Sequence, residues 1–108
     1  MKQIIAYIKP HRLSAVTLAL QKIRDLRGMS VTEVKGFGRR DEKDIPCSVD
    51  ELMDFAPYVK IEIFCKDDLA DELVTVIDRE ARTGLRGDGK IYVIDVNKAY
   101  KIGKGGLQ

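Results

Sequence analysis

Apolar positions change their spacing several times along the chain, and each change predicts an element. Residues 3–9 (QIIAYIK) form a short β-rich run bounded by Pro10, which predicts a strand. From Leu13 the period lengthens. Leu13, Val16, Leu20 and Ile23 recur at helical spacing, which predicts an amphipathic helix to about Leu26, with Ser14 as N-cap and Gly28 as the stop. Residues 29–38 (MSVTEVKGFG) predict a second strand, with Val31 and Val34 on different faces. The clearest strand is 58–65 (YVKIEIFC), where Val59, Ile61, Ile63 and Cys65 alternate strictly. Asp67 and Asp68 then precede a second helix whose inner face carries Leu69, Leu73, Val76 and Ile77. Acidic residues suit the positive end of that helix. A last strand is expected over 90–96.

The resulting order is strand, helix, strand, strand, helix, strand. That order predicts an α+β, ferredoxin-like βαββαβ fold, an antiparallel four-stranded sheet with both helices on one face. Apolar residues alternate onto both faces of the strands, so the face without helices is expected to be covered by other copies of the chain.

The pattern breaks between Arg39 and Pro57. Six acids (Asp41, Glu42, Asp44, Asp50, Glu51, Asp54) stand there against Arg39, Arg40 and Lys43, with Pro46 at the centre. Such a composition belongs in water, and a connection this long between two strands exceeds what the fold needs.

Composition narrows the function classes. At 108 residues the chain is expected to form a single domain over 1–108. Apolar residues at 44% and charged residues at 33% fit a globular, ordered protein. No stretch approaches the roughly 18 apolar residues that span a bilayer, and the beginning does not read as a signal peptide, so a cytoplasmic location without membrane insertion is expected. A net charge of +2 is too small to point to nucleic acid. The tail over 97–108 is more one-sided, with Lys98, Lys101 and Lys104 and no acid. The two cysteines, Cys47 and Cys65, lack metal-pair spacing. No nucleophile, base and orienting group recur in a matched pattern, so no enzyme and no catalytic residue is expected.

The chemistry concentrates in residues 83–93, TGLRGDGKIYV. Glycines at 84, 87 and 89 let the backbone approach a ligand, Arg86 and Lys90 add positive charge, and the strand that follows anchors one end. This reads either as an anion cradle or as a tight turn before a strand.

That string resembles the nucleotide-binding loop of PII signalling proteins. Two further blocks agree in order: the opening IIAYIKPHRL, and GMSVTEVKGFGR over 28–39. Asp54-Phe55 and residues 59–63 (VKIEI) fit the end of the family's long loop and its third strand. The resemblance spans residues 4 to 96.

It implies a homotrimer that binds an adenine nucleotide, ATP or ADP, in three clefts between subunits. Carried over, Gly36, Phe37, Gly38 and Arg39 line one wall, and Gly87, Asp88, Gly89 and Lys90 form the phosphate end. Ser30 takes the place of a threonine that helps hold the adenine. The loop over 39–54 becomes an arm that enters a target protein, typically a membrane transporter or a metabolic enzyme, in nitrogen or carbon metabolism.

Several residues depart from the family pattern. Arg40 replaces a glutamine that helps ligate magnesium, and a guanidinium repels a cation while remaining able to meet a phosphate. Tyr58 replaces a lysine that holds 2-oxoglutarate, and no tyrosine lies between Tyr7 and Tyr58 to accept uridylylation. Lys101 and Gly103 stand where two arginines clamp phosphate. The resemblance therefore implies a divergent member that binds ADP or AMP in preference to ATP with magnesium and has lost the familiar 2-oxoglutarate site. Other readings are a metal-responsive relative associated with heavy-metal efflux that uses His11 or Cys47, a trimer without a small ligand, and a reader of bicarbonate together with a nucleotide.

Overall fold

The structure, a computed structural model, describes residues 1–37 and 55–103. The expected arm over 39–54, with Arg39, Arg40 and Cys47, lies outside the described residues, as do Gly38 and the tail from 104 to 108.

Strand β1 (Lys2–Ile8) ends where Lys9, held in an extended conformation, precedes Pro10. Proline has no N–H for the sheet ladder and disfavours helix in the residue before it, so the strand stops there. Pro10–Arg12 form a 3-10 turn that runs straight into helix α1 (Leu13–Gln21). Strands β2 (Ser30–Gly36) and β3 (Ala56–Cys65) follow. A second 3-10 turn, Asp67–Leu69, leads into helix α2 (Ala70–Ala81), and strand β4 (Gly89–Asp95) closes the order. Asp71 and Glu72 occupy the first turn of α2, where the helix dipole favours negative charge.

The strands form one antiparallel sheet in the order β2-β3-β1-β4. This is the expected ferredoxin-like α+β arrangement. Register decides the faces. Ile4, Ala6 and Ile8 of β1 stand opposite Ile63, Ile61 and Val59 of β3, and all six are buried under the helices. Val16 and Leu20 of α1 and Leu73, Val76 and Ile77 of α2 complete that core. Full burial of each such branched side chain contributes about 2 kcal/mol.

Helix α1 differs from the expectation in two respects. Ser14 is the second helical residue rather than its cap; Arg12 holds the cap position without a side-chain bond. The proline-started turn already supplies a partner, since the Leu13 N–H donates to the Pro10 carbonyl. The helix also ends at Gln21. Beyond it the chain tightens into i to i+3 turns, with the Ile23 N–H on the Leu20 carbonyl at 3.0 Å and the Leu26 N–H on the Ile23 carbonyl at 3.2 Å. Ile23 and Leu26 still pack on the core, so the apolar spacing outlasts the helix.

The opposite face of the sheet carries no helix. Register puts Ile5, Tyr7, Phe64, Tyr92 and Ile94 there, with Lys60, Glu62 and Gln3 among them. Phe64, Tyr92 and Ile94 are 53%, 47% and 44% exposed, an apolar surface of the kind that copies of a chain cover. Polar groups on this face satisfy one another: Lys60 pairs with Glu62 at 3.2 Å, and the Gln3 amide donates to Glu62 at 3.2 Å.

Candidate functional site

The glycine loop joins α2 to β4, and two of its glycines are required by geometry. Gly89 has φ +120°, and a Cβ there would fall 1.7 Å from the Tyr7 carbonyl oxygen. Gly87 has φ +72°, and its Cβ would lie 3.0 Å from the Tyr58 hydroxyl. A side chain at either position would meet both strain and a neighbour.

Asp88 organises the loop. Its carboxylate accepts the Thr83 N–H at 2.9 Å, the Gly84 N–H at 3.0 Å and the Thr83 hydroxyl, and it pairs with Lys9 at 3.1 Å. The Thr83 hydroxyl bond first, then the backbone N–H bonds and Lys9, hold this carboxyl far below the ordinary carboxylate range. The Thr83 hydroxyl oxygen also accepts the Leu85 N–H at 3.1 Å, and the Lys9 ammonium reaches the same oxygen at 3.3 Å. The side chain of Asp88 is thus engaged in shaping the loop.

Lys90 and Gly89 open onto a cleft of about 500 Å³ at the start of β4, which Tyr7 and Ile8 of β1 also line. Its opposite wall is α2, through Val74, Thr75, Asp78 and Ala81, with Arg82 at the helix end. Arg82 is drawn to Asp78 at 2.5 Å. Backbone of a glycine-rich turn beside exposed lysine and arginine is chemically suited to an anion.

The remaining site residues are spread over the fold. Gly36 ends β2, and Phe37 beyond it meets the ring of Phe55 at 5.5 Å. Ser30 begins β2, six residues and about 20 Å from Gly36 at the usual strand rise. Lys101 is exposed, and no hydrogen bond or ion pair joins it to the glycine loop among the described residues. Gly38, Arg39 and Arg40 lie outside the described residues.

Lys9 and Thr83 were not singled out from the sequence, and Tyr58 was singled out only as a departure from the family pattern. Lys9 and Thr83 complete the Asp88 network, and the Tyr58 hydroxyl donates to the Gly87 carbonyl at 3.0 Å. A threonine ahead of a glycine-rich turn that contains an aspartate is a local side-chain-to-backbone signal, and it marks Thr83. Nothing local marks Lys9.

Among the described residues no group of three histidine, cysteine or carboxylate side chains is placed to hold a metal ion. His11 lies exposed in the first 3-10 turn. Cys65 is buried, and that burial pushes its thiol pKa up. No helix among the described residues is long and apolar enough to cross a membrane.

The family model described as nitrogen regulatory protein P-II matches residues 1–105. The chain belongs to the P-II family. It is 46% identical over 106 residues to nitrogen regulatory protein P-II 1 of Escherichia coli K12, covering 97% of this chain and 94% of that protein. The P-II protein of Klebsiella oxytoca is equally similar over the same span. That of Bradyrhizobium diazoefficiens is 44% identical over 110 residues, covering 99% of this chain and 97% of its own. Membership makes this P-II chain a regulatory protein of the nitrogen-signalling type, in a family of non-enzymatic signal transducers. The sequence resemblance to PII proteins is thereby confirmed at the level of family and fold.

Proposed function

We propose that this P-II protein is a cytoplasmic, single-domain homotrimer that binds an adenine nucleotide between subunits and controls a target protein through residues 39–54. ADP or AMP is the favoured ligand, and ATP binds without a strong need for magnesium. The target is a membrane transporter or a metabolic enzyme of nitrogen or carbon metabolism.

One observation supports the site above others. Gly36 and Gly89 lie at the same end of the sheet, since Gly36 pairs with Ala56 and Gly89 with Ile8. They sit on its two opposite edges, because β2 and β4 are the outermost strands. Three strand spacings, about 14 Å, separate these edges. A small ligand that meets both walls is therefore best served by two chains, the β2 edge of one against the β4 edge of the next. The aromatic and aliphatic residues of the helix-free face give such neighbours a surface to bury.

Nucleotide phosphates then meet the glycine loop and Lys90, with Arg39 and Arg40 from the root of the arm. Signalling requires that the nucleotide bind one arm conformation more tightly than another. Isothermal titration with AMP, ADP and ATP, each with and without magnesium, tests this reading. Saturable binding with one site per chain supports it. No heat with any of the three would retire it.

A further inference from the structure

Resting on the nucleotide reading, we propose that Tyr58 is a positioning residue for the phosphate end of the site, acting through the carbonyl of Gly87. Tyr58 lies on the helix-free face of β3, opposite Val34 of β2, one row beyond the last β1–β3 pair. From there its hydroxyl donates to the Gly87 carbonyl at 3.0 Å. That bond crosses from a central strand to the middle of the glycine loop and is separate from the Asp88 network.

The peptide between Gly87 and Asp88 is planar and trans, so its C=O and the following N–H point in opposite directions. Fixing the carbonyl toward Tyr58 therefore fixes where the Asp88 N–H points. It also does a second thing. A backbone carbonyl is negative, and one left free to swing in a glycine turn repels an arriving phosphate. Tyr58 occupies that oxygen and keeps it on the sheet side of the loop. Gly87, at φ +72°, is the most permissive hinge at this point, so an outside tether is needed where the residue itself supplies no constraint.

The two networks divide the loop. Asp88, Thr83 and Lys9 hold its first half, through the N–H groups of Thr83 and Gly84. Tyr58 holds its second half. Removing the hydroxyl alone leaves the Asp88 network and the core intact, so the loop stays attached while its phosphate-facing portion loses definition.

The experiment compares wild type with Tyr58→Phe. ADP affinity is measured by titration, adenosine and tripolyphosphate are measured as competitors of ADP, and thermal unfolding is followed without ligand. The loss of one neutral hydrogen bond predicts ADP binding weaker by about fivefold. Tripolyphosphate is expected to weaken to a similar degree and adenosine to stay unchanged, while the unliganded melting temperature falls by no more than the few degrees that one hydrogen bond supplies. Equal ADP affinity in the two proteins would overturn the role of Tyr58 and leave the nucleotide reading standing. A loss shared equally by adenosine would show a general packing role and overturn the proposal as well. If wild type binds no nucleotide, the functional reading fails first, and this inference with it.

Discussion

Gly89 approaches the Tyr7 carbonyl so closely that a Cβ would stand 1.7 Å from that oxygen. The obstacle is backbone of the neighbouring strand, which cannot swing aside as a side chain can. Gly89→Ala must open the β1–β4 ladder at its Ile8 pair and adopt a φ that L side chains rarely take. The expected cost is about 3 kcal/mol. Gly87→Ala, whose Cβ would meet only the Tyr58 hydroxyl, is expected to cost about 1 kcal/mol. Urea unfolding midpoints of the two variants check the order.

Asp88 gives the loop a pH dependence with a defined sign. Its folded pKa is depressed, so its contribution to stability is present above the unfolded value of about 3.9 and fades as pH falls below that. Wild type is therefore expected to lose stability between about pH 5 and pH 2 more steeply than Asp88→Asn, which is less stable at neutral pH. Unfolding curves across that range decide it; parallel curves would contradict the Asp88 network.

The fold was legible where period and burial agreed. Val59, Ile61, Ile63 and Cys65 alternate in sequence and are buried in the structure, and the sheet order followed from the run of elements. The end of α1 was not legible. Ile23 and Leu26 keep a helix-like spacing because they pack on the core, although their backbone has already turned to i to i+3 bonds. The glycine loop announced itself by composition, but the work of Asp88 did not. Its partner Lys9 sits at the end of another strand, and only the β1–β4 register brings the two together. The reach of Tyr58 to Gly87 was hidden for the same reason.

Core and outer face respond differently to substitution. Ile63→Ala removes a fully buried side chain beneath the helices and is expected to cost about 3 kcal/mol of folding stability. Phe64→Glu, on the opposite face and half exposed in one chain, is expected to leave that stability within about 0.5 kcal/mol but to weaken self-association. Sedimentation velocity distinguishes the two. A Phe64→Glu protein that assembles like wild type would place the inter-chain surface elsewhere.

Cys65 is expected to be silent toward thiol reagents. Its sulfur is buried, its pKa is raised by that burial, and only the thiolate reacts. In a Cys47→Ser variant Cys65 is the remaining thiol. That variant is expected to give no colour with a disulfide reagent until denaturant is added. Prompt reaction in the native state would mean that this end of β3 opens readily.

The proposed indifference to magnesium rests on Arg40. Wild type is expected to bind ATP within about twofold of the same affinity with or without magnesium, and to give no added heat with 2-oxoglutarate. Arg40→Gln removes the repelling guanidinium and is expected to make ATP binding respond to the ion. Magnesium-dependent 2-oxoglutarate binding by wild type would overturn this.

In the proposed assembly, with Gly36 on one edge of the sheet and Gly89 on the other, each chain contributes unlike halves to two different neighbours. A closed ring of identical chains then has as many complete sites as chains. Two inactive proteins, one damaged only at the β2 edge and the other only at the glycine loop, would regain a working site wherever an intact edge of one meets an intact loop of the other. Defects in the two halves would complement each other in a mixed ring, whereas two defects in the same half never could.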